Sequence, residues 1–417
     1  MLRVGLTGGI ACGKSRVRRR FAAAGFATLD LDSVAHEVIA PGGAAYADVV
    51  SAFGRGILAS DGTVDRKLLG SRVFADAEAR AQLNALVHPR VRDEEARRAA
   101  EEEARGTRAM VTDAALLVEA GLHLRFHRLV VVDCEGGEQL RRLVARDGLE
   151  EAAARARIAA QMPAAEKRRF AHVIVDASGG RPETDAHADA AAAELARLAD
   201  HPPPRPPFRP DALLAALAAG PTHGPRGLDP ARFVVDVAAA GEIEMNRLAR
   251  LLVPPVVGPW YLAPDVRPES EPGPESLALV VGLWALSRRG LDDEFTAAAM
   301  FSVAYLTYRD PGRTAAACLL ATAMTYLAGA GPTDDGARRA WVASAERWAG
   351  APPPAWAHAI VDAVVAPAGD PAAAAGKARA RGADADLIAG LAAAARGEAV
   401  PGMPAVLVES ARRLVRP

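Results

Sequence analysis

Gly8-Gly9-Ile10-Ala11-Cys12-Gly13-Lys14-Ser15 has the spacing G-x-x-x-x-G-K-[ST], a loop suited to holding phosphate. Its glycines let the backbone turn so that successive N–H groups point at an anion. The lysine adds a mobile ammonium, and the hydroxyl reaches a magnesium ion. The chain carries four lysines (Lys14, Lys67, Lys167, Lys377) among many arginines, and one stands where a compact charge on a flexible stem suits this chemistry. Asp30-Leu31-Asp32 closes a short apolar run and brings carboxylates toward the loop. Asp32 reads either as a base that takes a proton from an acceptor hydroxyl or as the cap of a helix starting at Ser33. Asp113 reads equally as a water-mediated magnesium ligand and as a turn residue, and Glu119 as a solvated helix residue. Arg142 and Arg146 lie four apart, on one helical face, and form either a phosphate-neutralising pair or a solvated surface. His88-Pro89 precedes the charged run Arg90–Arg105. Since proline suits a first helical position, His88 reads as a cap-like residue.

These groups need a scaffold, and the first half of the chain supplies one. Strand-like runs at Leu2–Thr7, Thr28–Asp30, Ala109–Thr112, Leu129–Asp133 and Val173–Asp176 alternate with helical stretches, the first of them Arg16–Ala24. Several runs are apolar without alternation, as in parallel strands buried on both faces. This predicts an α/β fold with a doubly wound parallel sheet. Residues 33–105 hold no convincing strand and read as a helical insertion over the nucleotide site. A proline-rich linker follows at 201–210, beginning His201-Pro202-Pro203-Pro204. All five tryptophans come after it, which implies a second core of different make-up. There the expected helices are Asp211–Ala219, Gly241–Leu252, Glu275–Arg289, Asp292–Tyr308, Thr314–Ala328, Gly336–Ala349 and Ala355–Val365, with an alanine- and glycine-rich stretch at Ala372–Glu398.

At 417 residues the chain suggests two domains: 1–200, and a mainly α-helical 211–417. The apolar fraction of 50% supports packed cores, and a formal net charge of −1 without long single-sign blocks gives no generic nucleic-acid or membrane surface. Cys12, Cys134 and Cys318 form no C-x-x-C pair, which suits a reducing compartment. With no signal peptide or membrane-length apolar run, a cytoplasmic protein is expected.

Taken in order, the elements of residues 1 to about 198 resemble the dephospho-CoA kinase family. They are V-G-L-T-G-G-I-x-x-G-K-S (Val4–Ser15), L-D-x-D (Leu29–Asp32), A-H-E-V (Ala35–Val38), P-G (Pro41-Gly42), F-G-x-x-I-L (Phe53–Leu58) and D-G-x-x-D-R (Asp61–Arg66). L-N-x-L-x-H-P (Leu83–Pro89), L-L-x-E-x-G-L (Leu116–Leu122), Q-L-x-R-L-x-x-R-D-G (Gln139–Gly148) and R-I-x-x-Q (Arg157–Gln161) follow. The resemblance implies a phosphate-loop NTPase-type fold and transfer of the ATP γ-phosphoryl group to the 3′-hydroxyl of dephospho-CoA. Gly8 to Ser15 would cradle ATP, with Lys14 on its β/γ-phosphates and Ser15 on Mg²⁺. Asp32 would be the general base. Arg142 and Arg146 would lie in a lid spanning 136–170, and His88 near the acceptor within the coenzyme-A-binding insertion 33–105. The sequence departs from the family at Ala11-Cys12 for Gly-Ser, Arg16 for Thr, Ala115 for Pro and Ala177 for an Asn near the adenine. Cys12 beside the phosphates is expected to confer sensitivity to oxidation. A phosphate-loop kinase for another nucleotide or metabolite, and a regulatory protein with a decayed kinase site, are the alternatives. Residues 208–417 carry no motif that suggests a family, and with no clustered His, Cys, Asp or Glu they read as a module for a protein partner or self-association rather than a second enzyme.

Overall fold

Five short strands make one sheet in the order β2-β3-β1-β4-β5. They are β1 (Leu2–Gly8), β2 (Ala27–Asp30), β3 (Ala109–Asp113), β4 (Arg128–Asp133) and β5 (Val173–Asp176). β1 pairs with β3, β3 with β2, and β4 with β5, all parallel. The computed structural model describes residues 1–201, 293–308, 310–328 and 334–365. The expected helices at Asp211–Ala219, Gly241–Leu252 and Glu275–Arg289, the linker beyond His201 and the stretch Ala372–Glu398 lie outside the described residues. The described chain divides into two compact units.

The first unit holds 1–116, 129–160 and 173–200. Every residue of β3 is buried, as are Leu129 to Val132 of β4, which explains the unbroken apolar runs. Helix α1 (Lys14–Ala23) turns Val17 and Phe21, four apart, onto this sheet, each contributing about 1.5–3 kcal/mol of burial. The helix preceding Asp200 presents Ala188, Ala191, Ala192 and Leu195 to the same core. Between β2 and β3 run α2 (Leu31–Val38), α3 (Tyr46–Phe53), α4 (Arg66–Ala75) and α5 (Ala77–Ala104), with one isolated antiparallel bridge, Leu58 to Val64. The helical insertion is therefore present, but one expectation inside it fails. Asp76 caps α5 by accepting from the amides of Glu78 and Ala79, so the helix starts well before Pro89 and carries that proline inside it. His88 is consequently an exposed mid-helix residue, not a cap. Helices α6 (Gly136–Asp147) and α7 (Glu151–Ala159) follow β4.

The second unit holds 117–128 and 161–172 together with the described helices beyond residue 201. It contains a 3₁₀ turn at Leu122–Arg125 and the short α8 (Ala164–Arg168). The first unit's last helix is α9 (Arg181–Asp200); α10 (Asp293–Thr307), α11 (Pro311–Ala328), α12 (Asp335–Ala349) and α13 (Ala355–Val365) belong to the second. These four lie within a residue or three of the expected bounds. Phe170 stands 5.3 Å from the His123 ring, 5.4 Å from Phe301 and 5.3 Å from Tyr305. Ser302 lies 3.0 Å from His123 Nε2, and the Tyr305 hydroxyl donates to Glu166 at 2.9 Å. Glu119 corrects a second expectation. It is buried in a turn, pairs with buried Lys167 at 2.7 Å and accepts from the Met162 amide, so it is neither helical nor solvated.

Candidate active site

The chain reverses its progress across the sheet at β1, whose neighbours β3 and β4 lie on opposite sides, and ligands bind at such a switch point beyond the strand ends. Gly8 to Ser15 occupies that place. A Cβ on Gly8 would stand 2.4 Å from the Val132 carbonyl oxygen, so that position excludes a side chain, and one on Gly9 would stand 2.6 Å from Gln139 Nε2 and displace that amide. Gly13, at φ 92°, caps α1 in a left-handed conformation natural to glycine. Ala11 holds φ 61° without that freedom. The Cys12 amide donates to the Gly9 carbonyl at 3.1 Å, and the Gln139 side chain donates to the Ile10 carbonyl at 2.9 Å, pinning the turn from two sides. Helix α1 begins at Lys14, two residues before the expected start, which places Lys14 and Ser15 in its first turn. Amides there face outward and the helix dipole adds positive potential.

Lys14 Nζ forms an ion pair with Asp113 Oδ1 at the end of β3. Arg18, one turn along α1, bridges two strand ends: its Nε lies 3.3 Å from Asp113 Oδ2 and its Nη2 3.1 Å from Asp30 Oδ2. Burial raises the Asp113 pKa, and Lys14 works against that shift. Asp30 accepts from the amides of Asp32 and Ser33 and so is the cap of α2. The capping role considered for Asp32 thus belongs to Asp30. The Asp32 carboxylate sits exposed in the first turn of α2 without a side-chain partner among the described residues.

The two arginines share α6 but engage differently. Arg142 is half-buried and donates to Glu138 at 2.6 Å and to the Gly179 carbonyl at 3.0 Å. Arg146 is more exposed and grips Asp147 at 2.7 and 3.1 Å, a carboxylate that Arg157 also reaches at 3.2 Å. The structure therefore gathers the loop, Lys14, Ser15 and Asp113 at one strand-end cluster, with Asp32 just beyond the neighbouring β2. Sequence reasoning missed Arg18, Gln139 and Cys134. Arg18 had a signal, lying four residues after Lys14 on the same helical face. Cys134 follows β4, the strand beside β1, and its Sγ lies 2.8 Å from Cys12 Sγ.

The Ser15 hydroxyl is exposed and makes no side-chain hydrogen bond among the described residues, and the buried Asp113 Oδ2 faces Arg18 across an ion pair without accepting a hydrogen bond among those residues. Among the described residues no group of three or more His, Cys, Asp or Glu forms a protein cage for a metal. A hydroxyl and one carboxylate fit a hard cation that keeps waters and arrives with phosphate oxygens.

The dephospho-CoA kinase family model matches residues 2–183. A dephospho-CoA kinase of Corynebacterium efficiens is 46% identical over 195 residues, covering 47% of this chain and 98% of that protein. The chain belongs to the dephospho-CoA kinase family. One from Geobacter sulfurreducens is 46% identical over 180 residues (43% of this chain, 91% of that protein), and one from Thermobifida fusca 44% over 199 residues (47% and 98%). The family match takes in every strand among the described residues and the whole phosphate loop, and it ends inside α9, before α10 to α13. No described helix is long and apolar enough to cross a membrane.

Proposed function

We propose that the chain transfers the γ-phosphoryl group of ATP to the 3′-hydroxyl of dephospho-CoA in the cytoplasm, using residues 1–200 as the kinase domain. The observation that carries the site assignment is the convergence of Gly8–Ser15, Asp113 and the unpartnered Asp32 at the carboxyl ends of three adjacent strands. In this reading the loop amides hold the phosphates, and Lys14 exchanges Asp113 for β- and γ-phosphate oxygens. Asp32 accepts the proton of the ribose hydroxyl as its oxygen bonds to the γ-phosphorus. The bond to the β,γ-bridging oxygen breaks and ADP leaves. Ser15, and Asp113 through water, would hold Mg²⁺, which when bound neutralises phosphate charge. Arg142 would stabilise charge spreading over the transferred group and Arg146 would bind nucleotide, both within a lid at 136–170. The helices of 33–105 would receive the acceptor, with His88 on their exposed face.

Steady-state assay of the full chain with Asp32→Asn tests the assignment. A loss of kcat of about 10²–10⁴ with little change in the KM for ATP is expected. An Asp32→Asn protein as fast as the parent removes Asp32 as the base. A parent that phosphorylates other nucleosides but not dephospho-CoA removes the acceptor.

A further inference from the structure

Cys12, in the phosphate loop, and Cys134, just after β4, are both buried with their sulfurs 2.8 Å apart, and all three cysteines of the chain are free thiols. A disulfide needs sulfurs about 2.05 Å apart, so closing the pair takes an approach of roughly 0.8 Å. One side of the pair is fixed. Cys134 follows β4, whose Val130, Val131 and Val132 are buried, and it is bracketed by two hydrogen bonds: Ala177 N–H to the Asp133 carbonyl at 2.7 Å and Glu135 N–H to Ser178 Oγ at 2.9 Å. The other side is a loop whose shape rests on a strained Ala11 and on the Gln139 contact. The loop must therefore move.

We infer that Cys12 and Cys134 are a modification site, a dithiol that hydrogen peroxide converts to a disulfide, drawing the phosphate loop toward β4. The Cys12 thiolate attacks one peroxide oxygen, the O–O bond breaks, and hydroxide leaves as water with the Cys12 proton. The Cys134 sulfur then attacks the resulting sulfenic acid; the S–S bond forms, the S–O bond breaks, and a second water carries off the Cys134 proton. The two thiols lose two electrons, and the peroxide is reduced to two waters. The polarity of the pair suits this order. The hydrogen bond from Cys134 favours the Cys12 thiolate against its own burial and the Asp133 charge, with Arg142 assisting, while the same contact pushes the Cys134 thiol upward. Peroxide has an approach from the ligand side, where Ala11, Gly13 and Lys14 are partly exposed and Ser15 is exposed. Cys318, wholly buried within α11 with its thiol pushed up by desolvation, is an internal control.

The bond itself stands apart from the kinase reading; only its effect on ATP rests on it. The test treats the reduced full-length chain with hydrogen peroxide, alkylates it in denaturant and maps the peptides. The expected result is a species lighter by two hydrogens, its Cys12 and Cys134 peptides joined, with Cys318 alkylated. It binds ATP at least about tenfold more weakly, since a misplacement near 1 Å is costly at such a loop, and dithiothreitol restores binding. Cys134→Ser, and Cys134→Ala as a second variant, bind ATP like the parent before treatment and give no joined peptide. Both thiols still alkylatable, a cross-link through Cys318, or a joined species with undiminished ATP affinity each overturns the inference. If the reduced parent fails to bind ATP, the nucleotide-site reading falls, while the peptide map still decides the bond.

Discussion

Ala11 is the only non-glycine residue with positive φ among the described residues, and it sits in the turn that wraps phosphate. A left-handed conformation costs an L-residue about 1–2 kcal/mol, while glycine pays about 0.5–1 kcal/mol in chain entropy. Ala11→Gly is therefore expected to be neutral or to stabilise the protein by up to about 1 kcal/mol, contrary to the usual Ala-to-Gly penalty. Urea unfolding of the two proteins measures this, and a loss above about 1 kcal/mol would contradict the strain. At this scale the sequence was legible where chemistry and spacing coincide, as at Lys14 and Ser15. It was illegible where a role depends on a contact across the fold: Cys134 meets Cys12 across 122 residues, and Arg18 bridges the ends of two strands. The cap of α2 fell between two aspartates two residues apart, and only backbone geometry separates Asp30 from Asp32.

Helices α1 and α9 are tied by a ladder of charges spaced one turn apart. Arg16 grips Asp185 at 2.6 Å through two nitrogens, and Arg20 grips Asp189 through Nε at 2.8 Å and a second, shorter contact. Arg16, which departs from the family's common threonine, thus links helices beside the loop. The two side chains are only partly exposed, Arg16 at 30% and Asp185 at 25%, so geometry and partial burial favour a measurable pair. A double-mutant cycle of Arg16→Ala and Asp185→Ala should give a coupling of about 0.5–1 kcal/mol in thermal or urea unfolding, and a coupling of zero would assign the link to packing alone. The central strands β3 and β4 were readable because burial on both faces leaves long aliphatic runs; the half-exposed β5 was still read with its observed bounds. The start of α5 was misread because proline resembles helix punctuation. Capping by Asp76 and a long charged helix override the missing amide of Pro89.

The second unit holds two histidines neutral, the buried His123 and the half-buried His172. Burial lowers the His123 pKa to about 3 and moves His172 well below its ordinary value, with Arg128 and Arg347 adding to the effect. An unfolded histidine takes its proton near pH 6.5. The stabilising contribution is therefore complete above that pH and is lost on acidification toward about 3, at up to about 1.4 kcal/mol per histidine for each pH unit. Urea midpoints at pH 7.5, 6.5 and 5.5 should fall in that order, and His123→Gln should flatten the trend by one histidine's share. Midpoints independent of pH would show that both rings are solvated. None of this unit was readable beyond its helices, because its core joins 117–128 and 161–172 to helices much later in the chain.

That joining also has an order in time. Phe170 and His123 lie inside the family-matched half of the chain, yet Phe301, Ser302 and Tyr305 contact them from α10. Ribosomes extend chains by about 5–20 residues each second, so the roughly 130 residues from His172 to Ser302 take on the order of 6–26 s to emerge. Through that interval the nascent kinase half lacks the packing that α10 supplies.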